Sequence, residues 1–115
     1  MGTLVLHGPD WTYYFNVYSA RPIARLGGVF VYTRRTTSPI RHENLFIGQT
    51  SDLTKPLVPE RQQCLALHGK NCLSLLIEED ERQRRRIVAD ILKVNAFPCN
   101  LEWVQGQAPP IRFQA

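Results

Sequence analysis

The stretch GVFVYTRRTTSPIRHENLFIGQTSDL, Gly28 to Leu53, decides the fold. Two short apolar runs, Val29-Phe30-Val31-Tyr32-Thr33 and Leu45-Phe46-Ile47-Gly48, flank a polar segment with Arg34, Arg35, Arg41 and His42 around Ser38-Pro39. β-Branched and aromatic residues favour strands. Period-two alternation puts Val29, Val31 and Thr33 on one side of the first strand and Phe30, Tyr32 and Arg34 on the other. The loop Arg34–Asn44 is too long for a two-residue hairpin turn but compatible with antiparallel pairing to Leu45–Gln49.

Upstream, residues 1–10 read as a short arm ending in the turn signal Gly8-Pro9-Asp10. Trp11 to Tyr18 alternates Trp11, Tyr13, Phe15 and Val17 with Thr12, Tyr14, Asn16 and Tyr18. That predicts an added strand at a sheet edge. Residues 19–27, with Pro22 and Gly27, form a connection. Downstream, Pro59 opens a helix through Leu67, because proline suits only a first helical turn. Gly69 stops it, and Asn71–Ile77 reads as a buried strand.

A second helix opens at Glu78-Glu79-Asp80-Glu81, since acidic residues suit a helix N-terminus. Glu78 with Arg82, Asp80 with Arg84 and Glu81 with Arg85 are spaced for ion pairs on a solvated face. Ile87, Val88, Ile91 and Leu92 supply the apolar stripe, and Asp90 is expected to face solvent opposite it. Pro98 ends the run. Leu101–Val104 is a candidate last strand, and residues 105–115 read as a tail.

The chain has 115 residues, enough for one domain with its own core. Its apolar run is never long enough for a transmembrane helix, and the start lacks the basic and apolar segments of a signal peptide. The net charge of +4 is shared evenly between the halves and permits attraction to phosphate. There are three cysteines, Cys64, Cys72 and Cys99. The odd count and the lack of CxxC spacing argue against a disulfide framework or a zinc site. All three read as small core residues in a reduced, cytoplasmic protein.

Gly28-Val29-Phe30 and Phe46-Ile47-Gly48, followed by Gln49-Thr50-Ser51-Asp52-Leu53, resemble the paired signatures of the GIY-YIG nuclease superfamily. The likeness covers about two thirds of the chain, residues 28–100. It implies an α/β fold with an antiparallel three-stranded core sheet flanked by helices, here with an added N-terminal strand. In active members, a tyrosine of the first signature activates water and an arginine eight residues beyond the second glycine contacts phosphate. A glutamate on the later helix binds a divalent metal, and an asparagine near the end of the core supports the site.

The two signature tyrosines correspond to Phe30 and Phe46, the arginine to Pro56, the glutamate to Val88 and the asparagine to Asn100. Only Asn100 keeps its chemistry; Gly48, Thr50 and Leu53 are also kept. Hydrolysis with no activating hydroxyl and no metal ligand has nothing to run on. The resemblance therefore implies a non-catalytic module without cofactor. Such a module would bind DNA, RNA or an acidic protein partner through Arg34, Arg35, Arg41 and Arg86, the last without an acidic residue four positions earlier. The alternative is an endonuclease using Mg²⁺ or Mn²⁺ with rearranged residues. Tyr32 is its substitute hydroxyl, two positions after Phe30 on the same strand face.

Overall fold

A computed structural model describes residues 2–18, 25–55 and 57–100. It contains five strands, β1 (Thr3–His7), β2 (Thr12–Tyr18), β3 (Gly28–Thr36), β4 (Arg41–Thr50) and β5 (Cys72–Ile77). Two helices, α1 (Pro59–Leu67) and α2 (Glu81–Leu92), complete the order. The strands form one antiparallel sheet in the order β1-β2-β5-β3-β4.

The sheet is wider than the three strands expected of the core. The segment expected as an arm supplies a strand instead, Thr3–His7. Thr3–His7 pairs antiparallel with β2 in register Leu4↔Phe15 and Leu6↔Tyr13. Gly8 N donates to Trp11 O at 2.9 Å to close the turn. β2 is therefore interior, between β1 and β5, and β1 takes the edge. The alternation in β2 holds, with Tyr13 and Phe15 buried and Thr12, Tyr14 and Asn16 exposed.

The polar segment after Thr33 is mostly strand. β3 runs on to Thr36 and β4 begins at Arg41, leaving a four-residue turn with a cis Ser38-Pro39 peptide. Arg34 lies opposite Glu43 and donates to it at 2.7 Å. The register shifts between Tyr32 and Thr33, where Leu45 is the extra residue of a bulge in β4. The bulge lets Leu45 and Phe46, consecutive in sequence, enter the same apolar cluster while Ile47 enters the other.

Those two clusters lie on opposite faces. Leu4, Leu6, Phe15, Val29, Val31 and Ile47 meet Ile87 and Ile91 of α2. Burying each of these two isoleucines contributes about 1.5–3 kcal/mol. On the other face, Leu45, Phe46, Cys64, Leu65 and Cys99 cluster beneath α1. Gly69, at φ +77, ends that helix in the left-handed region that glycine enters without penalty, and Lys70 N returns to Leu65 O at 3.0 Å.

α2 begins later than expected. Asp80 is its N-cap, accepting from Arg82 N and Gln83 N, so Glu78 and Glu79 precede the helix. Of the three expected pairs, Glu81–Arg85 is found at 2.7 Å. Arg84 is not solvated: only 4% of it is exposed. Its Nε donates to Gln49 Oε1 at 2.8 Å, and its Nη1 donates to the carbonyls of Glu78 and Glu79. The guanidinium thus pins α2 to β4.

Asp90 is also buried, at 4% exposure, and accepts a 2.7 Å hydrogen bond from the Tyr13 hydroxyl. Burial first, and then the Asp90 carboxylate, pushes the Tyr13 hydroxyl up to about 12. The expected strand at Leu101–Val104 and the tail lie outside the described residues. Among the described residues, no helix is long and apolar enough to cross a membrane.

Cys64 and Cys99 form a disulfide, against the expectation of free cysteines, while Cys72 is free and buried. The bond ties α1 to the turn after Phe97. Closing a loop of this length restricts the unfolded chain by about 2–4 kcal/mol, so reduction in metal-free buffer lowers unfolding stability by that amount in a denaturant titration. Among the described residues, Tyr13→Phe removes the only side-chain hydrogen bond to the Asp90 carboxylate, whose Oδ1 is buried there without a partner. The substitution costs about 1–3 kcal/mol in the same titration at neutral pH.

Candidate functional site: an aromatic cleft with a basic rim

The face of β3, β4 and β5 that α1 covers only in part holds a cleft of about 560 Å³. Its floor is aromatic. Phe30, Tyr32 and Phe46 project from the same side of β3 and β4 because Phe30 and Tyr32 are two residues apart and Phe46 pairs with Tyr32. Phe30 and Tyr32 meet edge to face at 6.0 Å between centroids, and Phe30 and Phe46 are 5.8 Å apart. Gly48 pairs with Phe30 and lies under its ring; a Cβ there would come within 2.6 Å of Phe30 Cζ. The glycine is thus required by close approach.

Asn100 closes one end. Its side chain accepts from Ile47 N and donates to Ile47 O, both at 3.0 Å. Both polar groups are taken up in holding the chain's last described turn against β4. Thr50, Asp52 and Thr54 form the turn at the other end. Thr54 donates to Asp52 through its hydroxyl and its backbone N–H, which holds the Asp52 carboxyl below the usual carboxylate range. Leu53 is buried beside this turn.

The rim is basic. Lys55 and Arg61 line the cleft. Arg61 projects from the first turn of α1 and lays its guanidinium over the Phe46 ring at 4.3 Å from the centroid. Burial lowers its pKa from the ordinary value, yet a guanidinium stays charged in neutral water. Lys70 Nζ sits over Tyr32 at 5.4 Å. Among the described residues lining the cleft, none is an aspartate, glutamate or histidine.

The positions matched to the nuclease signatures are only partly brought together. Phe30, Phe46 and Asn100 share the cleft. Pro56 lies outside the described residues. Val88 does not join them: it is on α2, packed against the cluster on the opposite face of the sheet. Tyr32 is in the cleft, with no acidic group among the described residues lining it.

The four arginines expected to bind do not share one surface. Arg34, Arg35 and Arg41 sit at the β3–β4 hairpin end, on strands and not in a loop. Arg34 is paired with Glu43, and each raises or lowers the other's pKa toward the charged form. Arg86 is on the far face, bonded to Gln83 Oε1 and stacked at 5.8 Å on Trp11. Arg61 and Lys70, which do flank the cleft, escaped the sequence reading. Arg61 could have been found as the first basic residue after Gly48 on a helix, once Pro56 was set aside.

A divalent metal of the Mg²⁺ type takes oxygen ligands, with carboxylates prominent. The cleft offers Gln49, Thr50 and Asn100 but no carboxylate, and Asn100 is already engaged. These residues do not fit such an ion. Among the described residues, three potential metal-ligating side chains converge elsewhere, at Cys64, His68 and Cys99. Comparison with known protein families, with curated proteins and with solved structures finds no match.

His42, expected in a loop, lies in β4 and shares a 2.8 Å hydrogen bond with Thr33 Oγ1. Burial first, and then the Arg35 charge, lowers its pKa. A histidine depressed on folding favours the native state above its unfolded pKa of about 6.5 and loses that contribution as pH falls below it. Unfolding midpoints measured from about pH 7.5 to about pH 5 fall for the native chain. The fall is shallower for His42→Asn; Glu43 and Asp52, with their lowered values, act only at more acidic pH.

Proposed function

We propose that the chain is a non-catalytic module of GIY-YIG type that grips single-stranded nucleic acid in the aromatic cleft. The supporting observation is an apolar, aromatic floor with Arg61, Lys55 and Lys70 around it and no carboxylate in its lining. Half-buried rings of Phe30 and Tyr32 offer stacking faces to bases. The cations offer charge to a phosphodiester backbone, and in a partly desolvated cleft that attraction exceeds its value in bulk water.

The three-stranded core of the superfamily corresponds in this reading to β4, β3 and β5, with β1 and β2 as an extension along the β5 edge. Arg61 takes over the phosphate contact that Pro56 cannot make. Arg34, Arg35 and Arg41, at the hairpin end, extend the basic surface from the cleft mouth. Arg86 belongs to a different face and is not part of the grip. A cytoplasmic setting goes with this reading only when Cys64 and Cys99 are reduced, because the cytosol keeps thiols reduced.

The endonuclease alternative needs a metal-binding carboxylate beside Tyr32, and the described residues of the cleft lining include none. The test uses labelled single- and double-stranded DNA and RNA over a salt series, with and without Mg²⁺ or Mn²⁺. Single strands bind, and affinity falls steeply with salt. Arg61→Gln lowers the salt slope by about 0.7. Tyr32→Leu weakens binding by about 1–3 kcal/mol. No binding, or binding indifferent to both substitutions, removes the proposal. Metal-dependent cutting establishes the endonuclease instead.

A further inference from the structure

Behind the cleft floor, three side chains with soft or borderline donor atoms converge. Cys64 lies in the last turns of α1, and His68, four residues on, is the C-cap residue of that helix. Spacing of four residues places both on one helix face. Cys99 comes from the turn after Phe97. The two sulfurs and a ring nitrogen of His68 all lie within 4.8 Å of one another. The short CxxC pattern that marks zinc in a sequence is absent because one ligand is supplied by a distant segment.

We propose that Cys64, His68 and Cys99 form a Zn²⁺ site that becomes available when the Cys64–Cys99 disulfide is reduced. Two cysteine sulfurs and one imidazole are a zinc donor set. With Zn–S near 2.3 Å and Zn–N near 2.0–2.1 Å, a tetrahedral site has ligand–ligand edges of roughly 3.5–3.8 Å. Reduction frees the two bonded sulfurs to separate to that distance, and the His68 ring nitrogen lies within 4.8 Å of both of them. The Cα atoms of Cys64 and Cys99 are 5.7 Å apart, so both sulfurs reach one ion without a change of backbone. Leu45, Phe46 and Leu65 pack around the sulfurs and limit water's access to them.

The redox step balances with an external dithiol. It gives two electrons and two protons to the Cys64–Cys99 bond, which breaks to two thiols, and becomes a disulfide itself. Zn²⁺ then displaces the two thiol protons to solvent. The fourth position stays open to water or to an outside ligand. Metal and disulfide exclude each other, so α1 is tied to the Cys99 turn in either state. The proposal is independent of nucleic-acid binding.

The test uses the full chain, reduced by a dithiol that is then removed under inert gas, and titrated with Co²⁺ followed by Zn²⁺. The reduced chain takes up one equivalent, with tetrahedral Co²⁺ bands and thiolate-to-metal charge transfer, and Zn²⁺ displaces the cobalt. The disulfide form takes up none. His68→Ala weakens binding by about tenfold or more, and Cys64→Ser removes most of the charge-transfer band. Cys72→Ser, altering the remaining free thiol, binds like the native chain. Absence of stoichiometric uptake by the reduced chain overturns the proposal. So does uptake unchanged in His68→Ala, a half-buried position whose replacement leaves the disulfide and the core in place. Circular dichroism of each variant in the disulfide form verifies folding, and His68→Ala decides the matter if Cys64→Ser does not fold.

Discussion

β5 holds the molecule together. The β1–β2 hairpin and the β3–β4 hairpin are each local pairs, and neither is stable by itself in water. β5 pairs with β2 along Asn16↔Leu75, Val17↔Ser74 and Tyr18↔Leu73, and with β3 from Gly28↔Ile77 to Thr33↔Cys72. Both of its edges are occupied, so its backbone groups are satisfied from two sides. Only through this strand do the hairpins become one sheet, and only one sheet has two continuous faces to cover. Ser74, central in β5 and fully buried, shows how little solvent reaches it.

The two faces are covered differently, and the difference makes the cleft. α2 meets both hairpins at once. Ile87 and Ile91 join the cluster built from β1, β2, β3 and β4, Tyr13 of β2 reaches Asp90, and Arg84 reaches Gln49 of β4. α1 is shorter and covers chiefly the Phe46 side of the other face, with Cys64 and Leu65 inward. The aromatic residues that α1 leaves half covered form the cleft floor. A basic residue on the exposed shoulder of α1, Arg61, then necessarily overlooks that floor.

Much of this was legible from period and punctuation. β2 and β3 alternate cleanly between apolar and polar or aromatic faces, and Pro59 and Gly69 bound α1. β1 was hidden because Val5 on its exposed side is as apolar as Leu4 and Leu6 on its buried side. The hairpin end was hidden because Arg34, Arg35, Arg41 and His42 are polar on both faces, projecting beyond the core while still pairing. In α2 the geometry was available but polarity was given precedence. Positions 84, 87 and 91 follow one helical stripe, and 90 adjoins it; Arg84 and Asp90 therefore fall inward with partners. The disulfide had no sequence signal, since Cys64 and Cys99 are 35 residues apart and meet only because α1 and the last turn share a cluster.

The same cluster shows what phenylalanine does at positions 30 and 46 of the cleft floor. Both rings pack without a polar group of their own. The ring at 46 supports the Arg61 guanidinium, and the ring at 30 fills the space that Gly48 leaves open. A phenolic hydroxyl on either ring would need a partner or water, whereas a phenyl ring needs none. With phenylalanine, the floor is self-consistent as an apolar stacking surface beneath fixed positive charge. Such a surface suits an anion with an aromatic body, which is the chemistry proposed for its occupant. The rim that carries the charge is thus separate from the soft donor atoms at Cys64, His68 and Cys99, which lie behind the floor.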